Sequence, residues 1–173
     1  MKGQTQQVFI YIMVILIVGV VLLFGTKAIF GIIKKACEVD KVTFQTDLKR
    51  LIEKSSDYGT IIAGDEGSLS APCGYEKLCI LDAEAIKDPL FNVDALRLAN
   101  PSNNLMVNEV VAGTGNNVFL IKEKEVIPLF ASDTIRINDA NNYGFICISA
   151  KGGNFYLELE GIGRGNVQIS EGD

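Results

Sequence analysis

Val8-Phe9-Ile10-Tyr11-Ile12-Met13-Val14-Ile15-Leu16-Ile17-Val18-Gly19-Val20-Val21-Leu22-Leu23-Phe24-Gly25 runs for 18 residues without a charge. As a helix it is ~27 Å long, close to the ~30 Å hydrocarbon core of a bilayer. Fourteen of its 18 residues are Val, Ile, Leu or Phe. At the bilayer centre such residues favour insertion by about 4 to 8 kcal/mol in total. A core helix of a small soluble domain carries one apolar stripe, whereas this one is apolar on every face. The run is longer than the h-region of a secretory signal, and Phe24-Gly25-Thr26-Lys27 is a poor cleavage site, which favours an uncleaved anchor. Lys27 interrupts, but Ala28-Ile29-Phe30-Gly31-Ile32-Ile33 keeps the apolar character until Lys34 and Lys35 end it. Lys27 is close enough to the end of the run to snorkel to the interface.

Outward from this stretch, the remaining ~140 residues are long enough to bury one core. The 173-residue chain has a net charge of −5 and no histidine. An acidic chain without a basic cluster away from the apolar run excludes nucleic acid as a partner. The lack of histidine removes the commonest general base and the commonest metal ligand, and with them Ser-His-Asp and Cys-His catalysis. The expectation is a non-enzymatic protein with no cofactor and no metal.

Met1-Lys2-Gly3-Gln4-Thr5-Gln6-Gln7 is short and polar. Lys2-Gly3-Gln4 set directly before the apolar run resembles the class III signal of archaeal type IV pilins (prepilins). That resemblance covers about 25 residues. It implies cleavage between Gly3 and Gln4 by a dedicated peptidase, with the apolar helix kept on the mature protein. In bacterial-type pilins the fifth mature residue is a glutamate that pairs with a neighbour's N-terminus; here it is Val8. The departure bears on filament assembly more than on anchoring. The whole layout is also similar to a group of small archaeal membrane-anchored proteins with this anchor, a juxtamembrane helix and a β-rich tail holding a short Cys-containing strand.

Membrane sidedness draws on opposing signals. Lys27, Lys34, Lys35 and Lys41 follow the span and only Lys2 and the α-amine precede it, which by the positive-inside bias places the later residues in the cytoplasm. The pilin resemblance and four cysteines in a small domain point the other way. The reading adopted is a single-pass protein with an extracytoplasmic C-terminal domain.

Beyond the span, residues 37–58 form an amphipathic pattern. Phe44, Leu48, Leu51 and Ile52 recur at helical spacing while Lys41, Asp47, Lys49, Arg50, Glu53 and Lys54 fall elsewhere, and Gly59 is a plausible stop. The helix either continues the membrane helix or hinges near Cys37. From residue 59 short apolar runs alternate with turn residues. Thr60–Ala63 and Ser68–Ser70 read as a hairpin. Leu78–Leu81 is a short strand, and one or two helical turns surround Pro89 between Ala83 and Leu98. Val118–Ile121 and Glu125–Phe130 form the clearest hairpin, with Pro128 marking an edge or a strand end. Thr134–Ile137 alternates, Phe145–Ile148 reads as buried, Phe155–Glu160 has period two, and Val167–Ile169 is placed to close the sheet. The fold class expected is α+β: an N-terminal transmembrane helix continuing into an amphipathic helix, then a mainly antiparallel β-sheet domain. The segments are 1–7 (polar N-terminus), 8–36 (transmembrane), 37–58 (juxtamembrane) and 59–173 (β-rich).

Cys73 and Cys79, five residues between them, are the candidate disulfide, provided their Cα atoms come within ~7 Å. Cys147 is placed to take either instead, since four cysteines allow three connectivities. The spacing is wide for a zinc knuckle. Cys37 sits near the interface, packed or acylated. Glu123-Lys124-Glu125 reads as a solvated tip, and Glu158 with Glu160 as an exposed strand face rather than an acid–base pair. Gly161-Ile162-Gly163-Arg164-Gly165 lacks the ending of a phosphate loop and reads as a turn or bulge. Asp133, Asp139, Asn138, Asn141 and Asn142 miss the spacing of a calcium loop. The partners expected are the lipid bilayer and, through the N-terminal helix, copies of the chain or other membrane proteins. Gly19, Gly25 and Gly31 recur six apart, not at GxxxG spacing, so helix pairing is not specifically encoded.

Overall fold

The computed structural model describes residues 2–88, 91, 94, 104–113, 115–123, 125–137 and 144–172. They fall into two units, residues 1–40 and 41–173. Helix α1 covers Lys2–Lys54 and is helical through Cys37. It stops four residues before the expected 58. Ser55 Oγ and Ser56 Oγ donate to the carbonyls of Leu51 and Glu53, taking up acceptors that the last turn leaves open. The left-handed Gly59 belongs to the following turn.

The second unit is α+β. Five strands form one sheet: β1 (Ile61–Ile62), β2 (Ser68–Ser70), β6 (Ile135–Ile137), β8 (Asn154–Gly163) and β9 (Asn166–Glu171). Its order is β1-β8-β9-β6, with β2 also on β8. The other sheet has the order β5-β4-β3-β7, from β3 (Lys77–Leu81), β4 (Val118–Lys122), β5 (Glu125–Phe130) and β7 (Phe145–Ser149). All pairings are antiparallel except β6 with β9. A second helix, α2 (Asn104–Ala112), had no counterpart in the sequence reading. Its Val- and Asn-rich stretch has weak helix propensity. The 3-10 turn Ala85–Lys87 is one of the helical turns expected between Ala83 and Leu98, whereas Pro89 itself and Asn138, Asp139, Asn141 and Asn142 lie outside the described residues.

The central core joins the two sheets to the end of α1. Phe44, Leu48 and Ile52 recur every four residues, one helical face, and pack with Leu78, Ile80, Leu120, Phe155, Leu157, Leu159, Val167 and Ile169. Phe44 meets Phe155 edge to face at 5.7 Å. A second cluster lies on the opposite face of the β5-β4-β3-β7 sheet, where Cys79, Leu81, Phe119, Ile121 and Phe145 pack with Met106 and Val107 of α2. Burial on both faces is why β3 and β4 read as unbroken apolar runs rather than alternating ones.

Two sequence-based pairings differ. β1 and β2 do not form a hairpin with each other; both lie along β8, separated by a 3-10 turn, Gly64–Gly67. Gly67 makes this approach possible, since a Cβ there would sit 2.0 Å from the Leu157 carbonyl oxygen. β9 is interior, and β6 is the last strand. The outer edge of β6 is closed by the Asp82–Ala83 segment: Ile137 N donates to Asp82 Oδ2 at 3.1 Å and Ala83 N to Ile135 O at 3.3 Å. Pro128 lies on β5, an edge strand, as expected.

Candidate functional site

In the first unit, every large side chain from Phe9 to Phe24 is 45–70% exposed. The 18-residue window there has a mean hydropathy of 2.8, and none of it is buried by the protein. This is one helix long and apolar enough to cross a membrane. The hydroxyl just beyond the run is compatible with lipid: Thr26 Oγ1 donates to Leu22 O at 2.9 Å, inside the helix. Gly19, Gly25 and Gly31 have open space where a Cβ would be. Gly3 and Gln4, the residues flanking the expected cleavage, lie in the first turn of α1. Lys27 and Lys35 are exposed.

The cysteines differ from expectation. Cys79 is bonded to Cys147, not to Cys73, with Cα atoms 4.1 Å apart. The reason is register. Cys79 and Cys147 are direct partners across β3 and β7, at the close approach of a non-hydrogen-bonded antiparallel pair. Cys73 packs against the central core, whereas Cys79 belongs to the cluster on the other face of the sheet. Were residues 73–79 one strand, their even spacing would put both on the same face. The 3-10 turn Pro72–Gly74, with Cys73 at φ 52°, breaks that alternation. Cys37 and Cys73 are disulfide-bonded too, so no described cysteine is free.

The other candidates lie on strands and turns of the second unit. Glu158 and Glu160 are exposed and face neighbours on β9, Ser170 and Gln168. Glu123 takes φ 47° in the β4–β5 turn. Gly161–Gly165 holds a register shift between Gly161 and Gly163, then a hairpin turn with Arg164 and Gly165 left-handed. No group of three His, Cys, Asp or Glu is placed to hold a metal among the described residues.

Two arrangements were not legible as sites. A cleft of about 170 Å³ is lined by Ile86, Lys87, Gly115, Asn116, Asn117 and Asp133 among others. It is smaller than the ~300 Å³ at which ligand pockets begin. Asn117, buried at its base, donates to Leu81 O (3.1 Å) and Ser132 O (2.9 Å) and accepts from Ser132 N (2.8 Å). Those bonds tie β3 to the segment after β5 and leave the amide committed to the fold. At the rim Lys87 pairs with Asp133 at 2.8 Å, and its hydrogen bond holds that carboxyl below the usual range.

The second arrangement surrounds Tyr75, which is buried. The Lys41 ammonium lies 5.2 Å from its ring centroid, and Lys49 stands likewise 4.8 Å from the Phe130 ring. Burial raises the Tyr75 pKa, and Lys41 partly opposes the shift. Lys122 Nζ donates to Cys73 O at 3.0 Å nearby. These contacts fasten α1 to the turn before β3 and to β5.

The sequence matches no established protein family, no curated protein and no solved structure.

Proposed function

We propose that this chain is a single-pass membrane-anchored structural or interaction protein. On this reading it acts as a type IV pilin-like surface subunit with its β domain on the extracytoplasmic side. The observation that carries the anchoring is the run from Phe9 to Phe24, apolar on every side and covered by nothing in the protein. Outside lipid, that surface would face water along its whole length. The oxidised cysteines, Cys79–Cys147 among them, support the outer face, since disulfides persist where thiols are not kept reduced. Lys2-Gly3-Gln4 before the span supports processing between Gly3 and Gln4. The reading assigns no catalysis to the domain, because it has no histidine and Glu158 and Glu160 lie on an open strand face.

A specific residue favours a second reading. Val8 stands where bacterial-type pilins carry their pairing glutamate, which supports an anchored binding or accessory module that does not polymerise. Mass spectrometry of the mature N-terminus tests the processing: a chain beginning at Gln4 supports the pilin-like reading, and one retaining Lys2 defeats it. Electron microscopy of sheared surface material from an expressing strain then separates filament from module. For sidedness, a membrane-impermeant thiol reagent on intact cells should label the half-buried Cys37, Cys73 and Cys147 only after an impermeant reductant is added. Thiols reactive only in lysates, and without reductant, would place the domain in the cytoplasm.

A further inference from the structure

The cations that follow the apolar run support an inference that rests on the membrane reading above. Lys27 is followed by Lys34 and Lys35, about 10 and 12 Å further along the helix axis. The side chains of Lys27 and Lys35 are exposed, and neither has an ion-pair or hydrogen-bond partner among the described residues. Glu38 and Asp40, the acids that follow, leave three cations against two carboxylates in residues 27–40. The basic residues further along α1 differ: Lys41 lies over Tyr75 and Lys49 over Phe130, Arg50 pairs with Asp47 and Lys54 with Glu66. The helix thus leaves cations unmatched just where the Val8–Gly25 run, at ~27 Å, has used up the hydrocarbon thickness.

We infer that Lys27 and Lys35 form a collar that binds the phosphate groups of anionic lipids. With Val8–Gly25 in the hydrocarbon, Lys27 sits at the inner boundary of the headgroup layer, which is roughly 5–8 Å deep per leaflet. Lys35 starts outside that layer, and a helical side chain leans toward the helix N-terminus, here back toward the bilayer. Lys27 snorkels outward against that lean, so the two ammonium groups reach the phosphates from either side. A zwitterionic lipid already neutralises its phosphate with its own cation, whereas an anionic lipid leaves a charge for the collar.

Near an anionic surface each lysine contributes about fivefold, the equivalent of ~1 kcal/mol per cation. Two give a preference of about 25-fold at low salt, shrinking as the Debye length contracts. The test uses the full chain reconstituted into vesicles of phosphatidylcholine with a minority of phosphatidylglycerol. The vesicles are floated and extracted into mild detergent, and the lipids that stay with the protein are quantified. The expected result is phosphatidylglycerol enriched about tenfold or more over the bulk ratio, lost in 1 M salt and in the Lys27→Gln/Lys35→Gln variant. Retained lipid at the bulk ratio, or equal enrichment in the variant, overturns the collar. Displacement of the lipid by inorganic phosphate, but not by chloride of matched ionic strength, also overturns it, since the site would then take free phosphate. A chain that fails to float with vesicles of either lipid defeats the membrane reading itself, before any lipid is counted.

Discussion

Replacing both Cys79 and Cys147 by alanine should destabilise the β domain by about 4 kcal/mol. The bridge spans a sequence separation of 68. Closing a loop of that length removes about 15 cal/mol/K of chain entropy from the unfolded state, which is about 4 kcal/mol at 25 °C. Alanine is chosen because Cys79 is fully buried among Leu81, Phe119 and Ile121, where a serine hydroxyl would lack a partner. The loss of two sulfur atoms from that cluster adds to the cost and does not offset it. The assay is guanidinium unfolding of the full chain in a mild non-ionic detergent. Tyrosine fluorescence serves as the probe because the chain lacks tryptophan. Wild type and variant are compared without reductant. A loss below about 1 kcal/mol would refute the reasoning, because a bridge joining two core strands across that loop cannot be thermodynamically silent.

Other outcomes follow from the packing. Leu48→Ala should cost about 3–5 kcal/mol in the same titration, as Leu48 is fully buried between the sheets, whereas Leu16→Ala should leave the β domain's midpoint unchanged. Gly161→Ala should cost roughly 1–3 kcal/mol, because its Cβ would lie 1.9 Å from Asp57 O and 2.4 Å from Ser55 O, both main-chain atoms that cannot swing aside. Tyr75 has its pKa raised above the usual 10.0, so the folded state holds its proton after the unfolded chain has released it. Stability should therefore fall as pH rises through 10 toward the folded pKa, and Tyr75→Phe should remove that part of the decline. In an ultraviolet titration Tyr75 should ionise above the usual phenol range.

Local pattern revealed those parts of the fold in which one periodicity decides burial. The four-residue spacing of Phe44, Leu48 and Ile52 marked the packed face of α1, and period two in Phe155–Glu160 marked β8. The β4–β5 hairpin was legible because two apolar runs flank a charged tip. What the sequence hid depends on non-local partners. Nothing near Ile61 or Leu69 says that both strands lie on β8 instead of on each other. The Cys79–Cys147 bond depends on register between strands 68 residues apart, while Cys73 is nearer in sequence and on the wrong face. The hydrogen bonds of Asn117 and the Lys41–Tyr75 contact likewise arise from the assembled core. Of the candidate site, the apolar run was legible in full, because a helix's capacity to span a bilayer is read from its length and composition.

Vesicle flotation of the full chain, followed by alkaline carbonate washing, tests the anchoring most directly. The account predicts that the protein rises with the lipid and stays there after the wash, as a helix embedded across the hydrocarbon must. A chain that remains in the aqueous fraction as a detergent-free monomer would contradict it.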